Sequence, residues 1–129
     1  MIAKTPREAV ELADDAWNRG DVEDVLAFYE DDAVFLFGPE QKVLAGKAEL
    51  QEFMTEAFAR NPAVKRLRDH VIEYRDLALY TWEWSISYGD TGETETGAGS
   101  IVFRRGQDGG WRVAIESPWN AEILDLPQS

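Results

Sequence analysis

Apolar positions in the first half of the chain recur with the period of helices, and those in the second half with the period of strands. Val10, Ala13 and Trp17 fall at i, i+3 and i+7, supported by Ala9, Leu12 and Ala16, and predict a first helix. Thr5-Pro6-Arg7-Glu8 marks its start. The hydroxyl takes an orphan amide, Glu8 reaches back to the cap, and proline sits where a missing N–H is harmless. Gly20 ends it, because the left-handed conformation there is least strained in glycine. Val22, Val25, Leu26 and Tyr29 repeat the spacing behind Asp21 and predict a second, shorter helix, joined to the first as a tight helical hairpin. Leu50, Phe53, Met54, Ala57 and Phe58 predict a third helix after Gly46, stopped by Asn61-Pro62.

Glu30-Asp31-Asp32 reads as the turn that closes the helical hairpin. Residues 33–37 are a short apolar, β-favouring run, turned by Gly38-Pro39-Glu40-Gln41 into a brief return strand, Lys42-Val43-Leu44. Four strands follow near 64–74, 77–88, 98–105 and 111–118, with Arg75-Asp76, residues 90–97 and residues 106–110 as turns. Helices early and strands late predict an α+β domain: three N-terminal helices packed on a strongly curved antiparallel sheet. The 129 residues form one domain, with a core over about 5–120 and a tail over 121–129. A chain of this size buries roughly two-thirds of its unfolded surface, so no metal or disulfide staple is required.

Charge and composition narrow the partners. A net charge of −12 repels phosphate backbones, and Lys65-Arg66-Leu67-Arg68 is too sparse a basic run to reverse that, so no nucleic-acid partner is expected. The absence of cysteine removes disulfides, zinc ribbons and thiol catalysis. No signal peptide and no membrane span are expected, and cytoplasmic localisation is the default.

The aromatic residues point to a cavity. Tyr80, Trp82, Trp84, Ile86 and Tyr88 share one strand face by alternation, as do Phe35 and Phe37, while Trp17 and Phe53 lie on helical stripes aimed at the sheet. One reading is an apolar pocket lined by Trp17, Phe35, Phe37, Phe53, Trp82 and Trp84, suited to a flat hydrophobic ligand. The same row also satisfies a filled core or a dimer interface. Two residues stand out as acid–base candidates. Glu116, among Ala114, Ile115 and Pro118, is a pocket acid if it faces inward and a partner of Arg104 or Arg112 if it does not. His70, the only histidine, is a general base or acid, or else a surface or hydrogen-bonded structural residue beside Asp69. Glu73 and Glu83 are equally ambiguous, since alternation does not say which face is inside. Asp14-Asp15 read as a solvated helix face. The acidic loop over 90–99 lacks the ligand spacing of a calcium site. Neither a metal nor a cofactor is expected, and neither a phosphate-cradling loop nor a nucleophile elbow is present.

Four stretches together carry a family resemblance. Trp17-Asn18-Arg19-Gly20-Asp21 followed by Phe28-Tyr29-Glu30-Asp31-Asp32-Ala33-Val34-Phe35 resembles the opening of SnoaL-like and related nuclear-transport-factor-2-like domains. Gly46-Lys47 entering a helix and Asp76-Leu77-Ala78 entering a long strand are similar to later steps of that pattern. Val102-Phe103-Arg104-Arg105, a glycine turn and Gly110-Trp111-Arg112-Val113 resemble its closing hairpin. The resemblance implies a cone-shaped barrel with a deep pocket and a homodimer formed through the sheet; the hydrophobic small-molecule ligand is the expectation of the aromatic row. It does not imply one activity, because members of this superfamily are isomerases, cyclases, hydrolases, dehydratases and assembly domains. The ketosteroid isomerase base and oxyanion donors would fall at Phe37, Ala13 and near Ser100, so isomerisation by that set of residues is not expected. The expectation is a small-molecule-pocket domain without an assignable activity. If an enzyme, it is a cofactor-independent lyase, isomerase, cyclase or hydrolase. The alternatives are a non-catalytic apolar-ligand-binding domain and a homodimeric assembly module.

Overall fold

The structure, a computed structural model, describes residues 2–120; the expected tail over 121–129 lies outside the described residues. Helix α1 spans Pro6–Arg19 between the predicted caps, with Thr5 accepting from the Glu8 amide and Gly20 at φ 70°. Glu8 reaches back as expected, but to the amide of Lys4, one residue before the cap, at 3.1 Å. Helix α2 is only Val22–Leu26, capped by Asp21. Tyr29, expected on that helix, instead begins strand β1 (Tyr29–Phe37), so the acids at 30–32 lie in a strand and not in a turn. The cause is long-range: the carbonyl of Phe28 accepts from the Val113 amide at 2.8 Å, which draws the chain into a sheet ladder immediately after the helix.

Strand β2 (Lys42–Ala45), helix α3 (Gly46–Phe58), β3 (Pro62–Tyr74), β4 (Leu77–Tyr88), β5 (Thr94–Arg105) and β6 (Trp111–Ser117) complete the chain. β5 starts within the stretch expected to be loop. The six strands form one sheet in the order β2-β1-β6-β5-β4-β3. Its pairs are antiparallel except β1 with β6, which run parallel. The α+β architecture is therefore as predicted, and the sheet is mixed where an antiparallel one was expected. Parallel neighbours need a long crossover, and here α3 and the meander from β2 to β5 supply it. None of the helices is long and apolar enough to cross a membrane among the described residues.

The helices cover the concave face. Leu50 and Met54 of α3 and Val25 of α2 are fully buried, in one core cluster with Tyr80, Phe103 and Trp111 of the sheet. Each such side chain contributes about 1.5–3 kcal/mol by leaving water. The free edge of β3 is fastened to α1 by the Asn18 side chain, which accepts from the Val64 amide at 2.8 Å and donates to its carbonyl at 3.2 Å. A side-chain amide thus stands in for a neighbouring strand. Two irregularities change which residues face inward. β3 shifts register between Arg66 and Arg68, and β6 shifts where it pairs with Val102 and Phe103. Before the first shift Val64 and Arg66 are the more enclosed residues; after it Asp69 and Val71 are.

On β5 the inward positions opposite Trp82 and Trp84 are Gly99 and Gly97. A Cβ on Gly97 would lie 2.2 Å from the Trp84 ring, and one on Gly99 would lie 2.2 Å from the backbone of Ser117 and Pro118. These glycines let the indoles and the end of β6 lie against the sheet. Gly99→Ala must push backbone apart, so it is expected to lower unfolding stability by about 1–3 kcal/mol. Chemical denaturation measures this, and an unchanged midpoint would show that the contact is not tight.

Candidate functional site

Between α1, α3 and the concave sheet lies a pocket of about 510 Å³. Trp17, Phe35, Phe37, Phe53, Trp82 and Trp84 all line it. The rings support one another rather than filling the space. Phe53 stands 5.2 Å from Phe35 and 5.1 Å from Phe37, between centroids. Trp119 packs edge-on against both Phe37 and Trp84, each at 5.3 Å. Trp84 is fixed by its indole N–H, which donates to the Pro118 carbonyl at 2.7 Å. Trp119 was missed because it follows the last predicted strand, where no periodicity marks a facing direction.

Glu116 is on the pocket wall, from the central strand β6. The register shift in β6 explains its direction: Val113 is buried, Ile115 is exposed, and Glu116 returns inward beside Phe35. The Tyr29 hydroxyl donates to its carboxylate, and that tyrosine is itself buried. Burial pushes Glu116 up to about 7, against the Tyr29 hydrogen bond, which lowers it, and with the Asp14 charge, which raises it. Tyr29 is held far above its ordinary range by burial and by the neighbouring Glu116. Placing Tyr29 on the helix stripe concealed this pair from sequence reasoning.

Asp14 corrects the solvated-face reading of α1, because it lines the same pocket. Burial raises its carboxyl to about 6, with Arg66 pulling it down and Glu11 pushing it up. Its place one turn before Trp17, at i and i+3 on the pocket stripe, was the available signal. Arg66, on β3, sits 3.5 Å from Asp69 and 3.7 Å from Glu11. The Tyr80 hydroxyl donates to Asp69 at 2.8 Å, and Arg7 reaches Asp69 at 3.2 Å. Burial raises the Asp69 carboxyl, but these hydrogen bonds prevail and hold it below the usual range.

The structure does not bring His70 to this site. It lies after the β3 register shift, opposite Thr81, and is exposed on the face away from the helices. Glu83 is engaged by Arg68, and Glu73 is exposed. Of the positions where ketosteroid isomerase chemistry would fall, Phe37 lines the pocket and Ser100 pairs with Thr81 at 3.4 Å. No group of three or more His, Asp or Glu side chains converges as a metal site among the described residues.

The buried acid makes a stability prediction. In the unfolded chain Glu116 loses its proton near 4.5, while the folded protein holds it to about 7. Between those values the folded state binds more protons, so this residue's contribution falls as pH rises and is fully unfavourable above about 7. Glu116→Gln removes the effect while keeping an acceptor for Tyr29. The variant is expected to gain on the wild type by up to about 3 kcal/mol as pH rises from 4.5 to 7. Denaturation at several pH values measures the difference, and parallel pH curves would contradict it.

The family model of the SnoaL-like domain matches residues 10–114. No curated protein matches the chain significantly. Among solved structures, a ketosteroid isomerase-like protein from Erwinia carotovora atroseptica is 25% identical, with a TM-score of 0.67 over 86% of this chain and 89% of that one. An NTF2-like protein of unknown function from Pseudomonas putida is 22% identical, with a TM-score of 0.76 over 86% of this chain and 80% of that one. A domain of unknown function with a cystatin-like fold from Nostoc punctiforme is 23% identical, with a TM-score of 0.75 over 92% of this chain and 80% of that one. The last two likenesses speak to the fold alone. With the family model spanning most of its length, the chain belongs to the SnoaL-like domain family.

Proposed function

We propose that this domain binds a small, largely apolar molecule among its tryptophans and carries out acid–base chemistry on it, with Asp14 and Glu116 handling the protons. The observation that carries this is the presence of two carboxylates, both raised by burial, in one aromatic pocket. Near neutral pH Asp14 is the more ionised and serves as base, while Glu116 is the more protonated and serves as acid. Tyr29 donates to one oxygen of Glu116 and so fixes the carboxyl, leaving the other oxygen to face the ligand.

The step this arrangement suits is enolisation. Asp14 takes a proton from the carbon next to a carbonyl, the C–H electron pair forms the C=C bond, and the carbonyl oxygen receives the Glu116 proton. Return of a proton at another carbon gives isomerisation. Loss of a β-substituent gives a lyase, and attack on a second carbonyl gives a cyclase. The likeness to a ketosteroid isomerase-like protein supports this reaction class. The acid and base occupy positions other than those expected from that chemistry.

The test uses 2-tetralone, a two-ring ketone, in D2O with α-proton loss followed by NMR. Exchange faster than buffer is expected, with a maximum between about 6 and 7 from the two carboxyl values. Asp14→Asn and Glu116→Gln are each expected to slow it by about tenfold or more. A ketone that binds without accelerated exchange would instead support the second reading, a non-catalytic carrier of apolar ligands, which the aromatic lining favours by itself.

The outer face supports the homodimer as a further part of this reading. Ile72, Leu79, Val102 and Ile115 stand opposite one another across β3, β4, β5 and β6. Ile72 is 56% exposed, Leu79 44% and Ile115 43%, a connected apolar stripe turned toward solvent. We propose that a second copy covers it. Leu79→Lys is expected to halve the mass seen by light scattering, and a wild-type monomer at high concentration would rule the dimer out.

A further inference from the structure

We propose that Arg66 is a positioning residue for the base, its guanidinium shared between Asp69 on its own strand and Asp14 across the α1–β3 seam, so that Asp69, outside the pocket, sets how much of that cation the base receives. This rests on the reading of Asp14 as the base and adds the group that controls it.

The seam is built from one stripe of α1. Arg7, Glu11, Asp14 and Asn18 fall at i, i+4, i+7 and i+11 and so share a helix face. Three of them meet β3 in descending order along the strand: Arg7 reaches Asp69 at 3.2 Å, Glu11 reaches Arg66 at 3.7 Å, and Asn18 accepts from the Val64 amide at 2.8 Å. Asp14 lies between Glu11 and Asn18 on that stripe, so it faces the stretch of β3 from Arg66 to Val64. Asp14 and Arg66 both border the pocket. Asp69 lies on the same strand beyond its register shift, behind the lining.

The partners along this seam are unequally satisfied. Asp69 is well supplied: the Tyr80 hydroxyl donates to it at 2.8 Å, and Arg7 donates from Nε at 3.3 Å and from Nη2 at 3.2 Å. Arg66 is held more loosely. Its Nε is 3.5 Å from Asp69 and its Nη2 is 3.7 Å from Glu11, which are ion-pair separations longer than ordinary hydrogen bonds. Its Nη1 is enclosed and has no hydrogen-bond partner among the described residues. An enclosed N–H without an acceptor is costly, so the guanidinium gains by turning toward another carboxylate. Asp14 is that carboxylate, and it makes no ion pair of its own among the described residues. Burial raises the Asp14 carboxyl to about 6, and Arg66 is the cation that opposes this. Asp69 therefore competes for a charge that it does not need and that Asp14 lacks.

The other groups around Asp14 leave this role to Arg66. Glu11 on the same helix is a like charge, and Glu116 and Tyr29 across the pocket bring no cation. On α2, Glu23 is exposed and Asp24 is turned to Arg19 at 3.2 Å. Lys42, Glu56 and Glu95 are exposed at the mouth of the pocket, and Arg60 there is paired with Asp90 at 3.2 Å.

The experiment titrates the side-chain carboxyls of protein labelled with 13C-aspartate by NMR, the Asp14 signal being the one lost in Asp14→Asn. Arg66→Gln is expected to move the Asp14 midpoint up by about one pH unit, because an opposite charge favours the ionised form. Asp69→Asn keeps an acceptor for Tyr80 and releases Arg66, and is expected to move the midpoint down by about half a unit or more. The acid limb of 2-tetralone exchange is expected to follow each midpoint. The deciding comparison is Asp69→Asn made in the Arg66→Gln background, where it is expected to have less than about half its effect in the wild type. An equal effect in both backgrounds means that Asp69 acts only through its own charge and overturns the proposal, as does an unmoved midpoint in Asp69→Asn. Glu11→Gln, at an exposed site, frees the other side of the guanidinium and carries the same comparison if Asp69→Asn does not fold. Absence of ketone exchange in the wild type overturns the catalytic reading alone, since the carboxyl titration needs no turnover.

Discussion

The amide of Val113 donates to the carbonyl of Phe28, and this bond fixes the rest of the site. It ends the helical hairpin, starts β1 and sets β1 parallel to β6. It also places Tyr29 and Glu116, 87 residues apart in sequence, in hydrogen-bonding contact. Closing so long a loop adds only slightly more entropy cost than closing a shorter one, because the cost grows with the logarithm of length. What must be offset is the burial of a tyrosine hydroxyl and a carboxyl together. The hydrogen bond between them does so only in part: burial outweighs it in raising the Glu116 carboxyl, and burial and that bond together raise the Tyr29 hydroxyl. Sheet formation and site formation are therefore the same event.

The hollow in this domain also needs an explanation. A dry void of 510 Å³ would cost about 12 kcal/mol at about 24 cal/mol per Å³, as much as the whole stability of an ordinary domain. The pocket therefore has to be open and wettable, which the charged mouth and the carboxylates of the wall permit. Its walls keep their shape because the rings brace each other edge to face and because Trp84 is tethered to Pro118. Gly97 and Gly99 supply the complementary absence of side chains on β5. The space they leave is taken by the Trp84 ring and by the backbone of Ser117 and Pro118, so this tryptophan lies against the sheet and still borders the cavity.

What the sequence disclosed and what it hid follow from the same physics. α1 and α3 were legible because caps and 3.6-residue periodicity are local signals. The six pocket aromatics were legible as a set because alternation on β4 and stripes on the helices are local too. Whether Glu116 and His70 faced in or out was not, because both lie beyond register shifts that invert the alternation of their strands. No residue type announces those shifts: the one in β3 falls at Leu67 and the one in β6 near Ala114. Tyr29 was hidden for a different reason. Its spacing fits a helix, and only pairing with a strand from the far end of the chain overrides that preference. Asp14 does carry a local signal, since it lies on the same stripe as Trp17.

The two pocket carboxylates differ in what holds them, and this difference shapes what the site can do. Glu116 projects from the central strand of the sheet and is fixed by a buried tyrosine, so its position is as rigid as the core. Asp14 projects from α1, which packs against the edge strand β3 through Asn18, Arg7 and Asp69. Arg66, the cation that tempers Asp14, belongs to that same edge strand. The α1–β3 contact therefore sets both the position of the base and the charge beside it. A shift of α1 away from β3 would separate Asp14 from Arg66 and raise the carboxyl further toward its neutral form. The acid is a property of the sheet; the base is a property of how firmly the first helix is clamped to the sheet's edge.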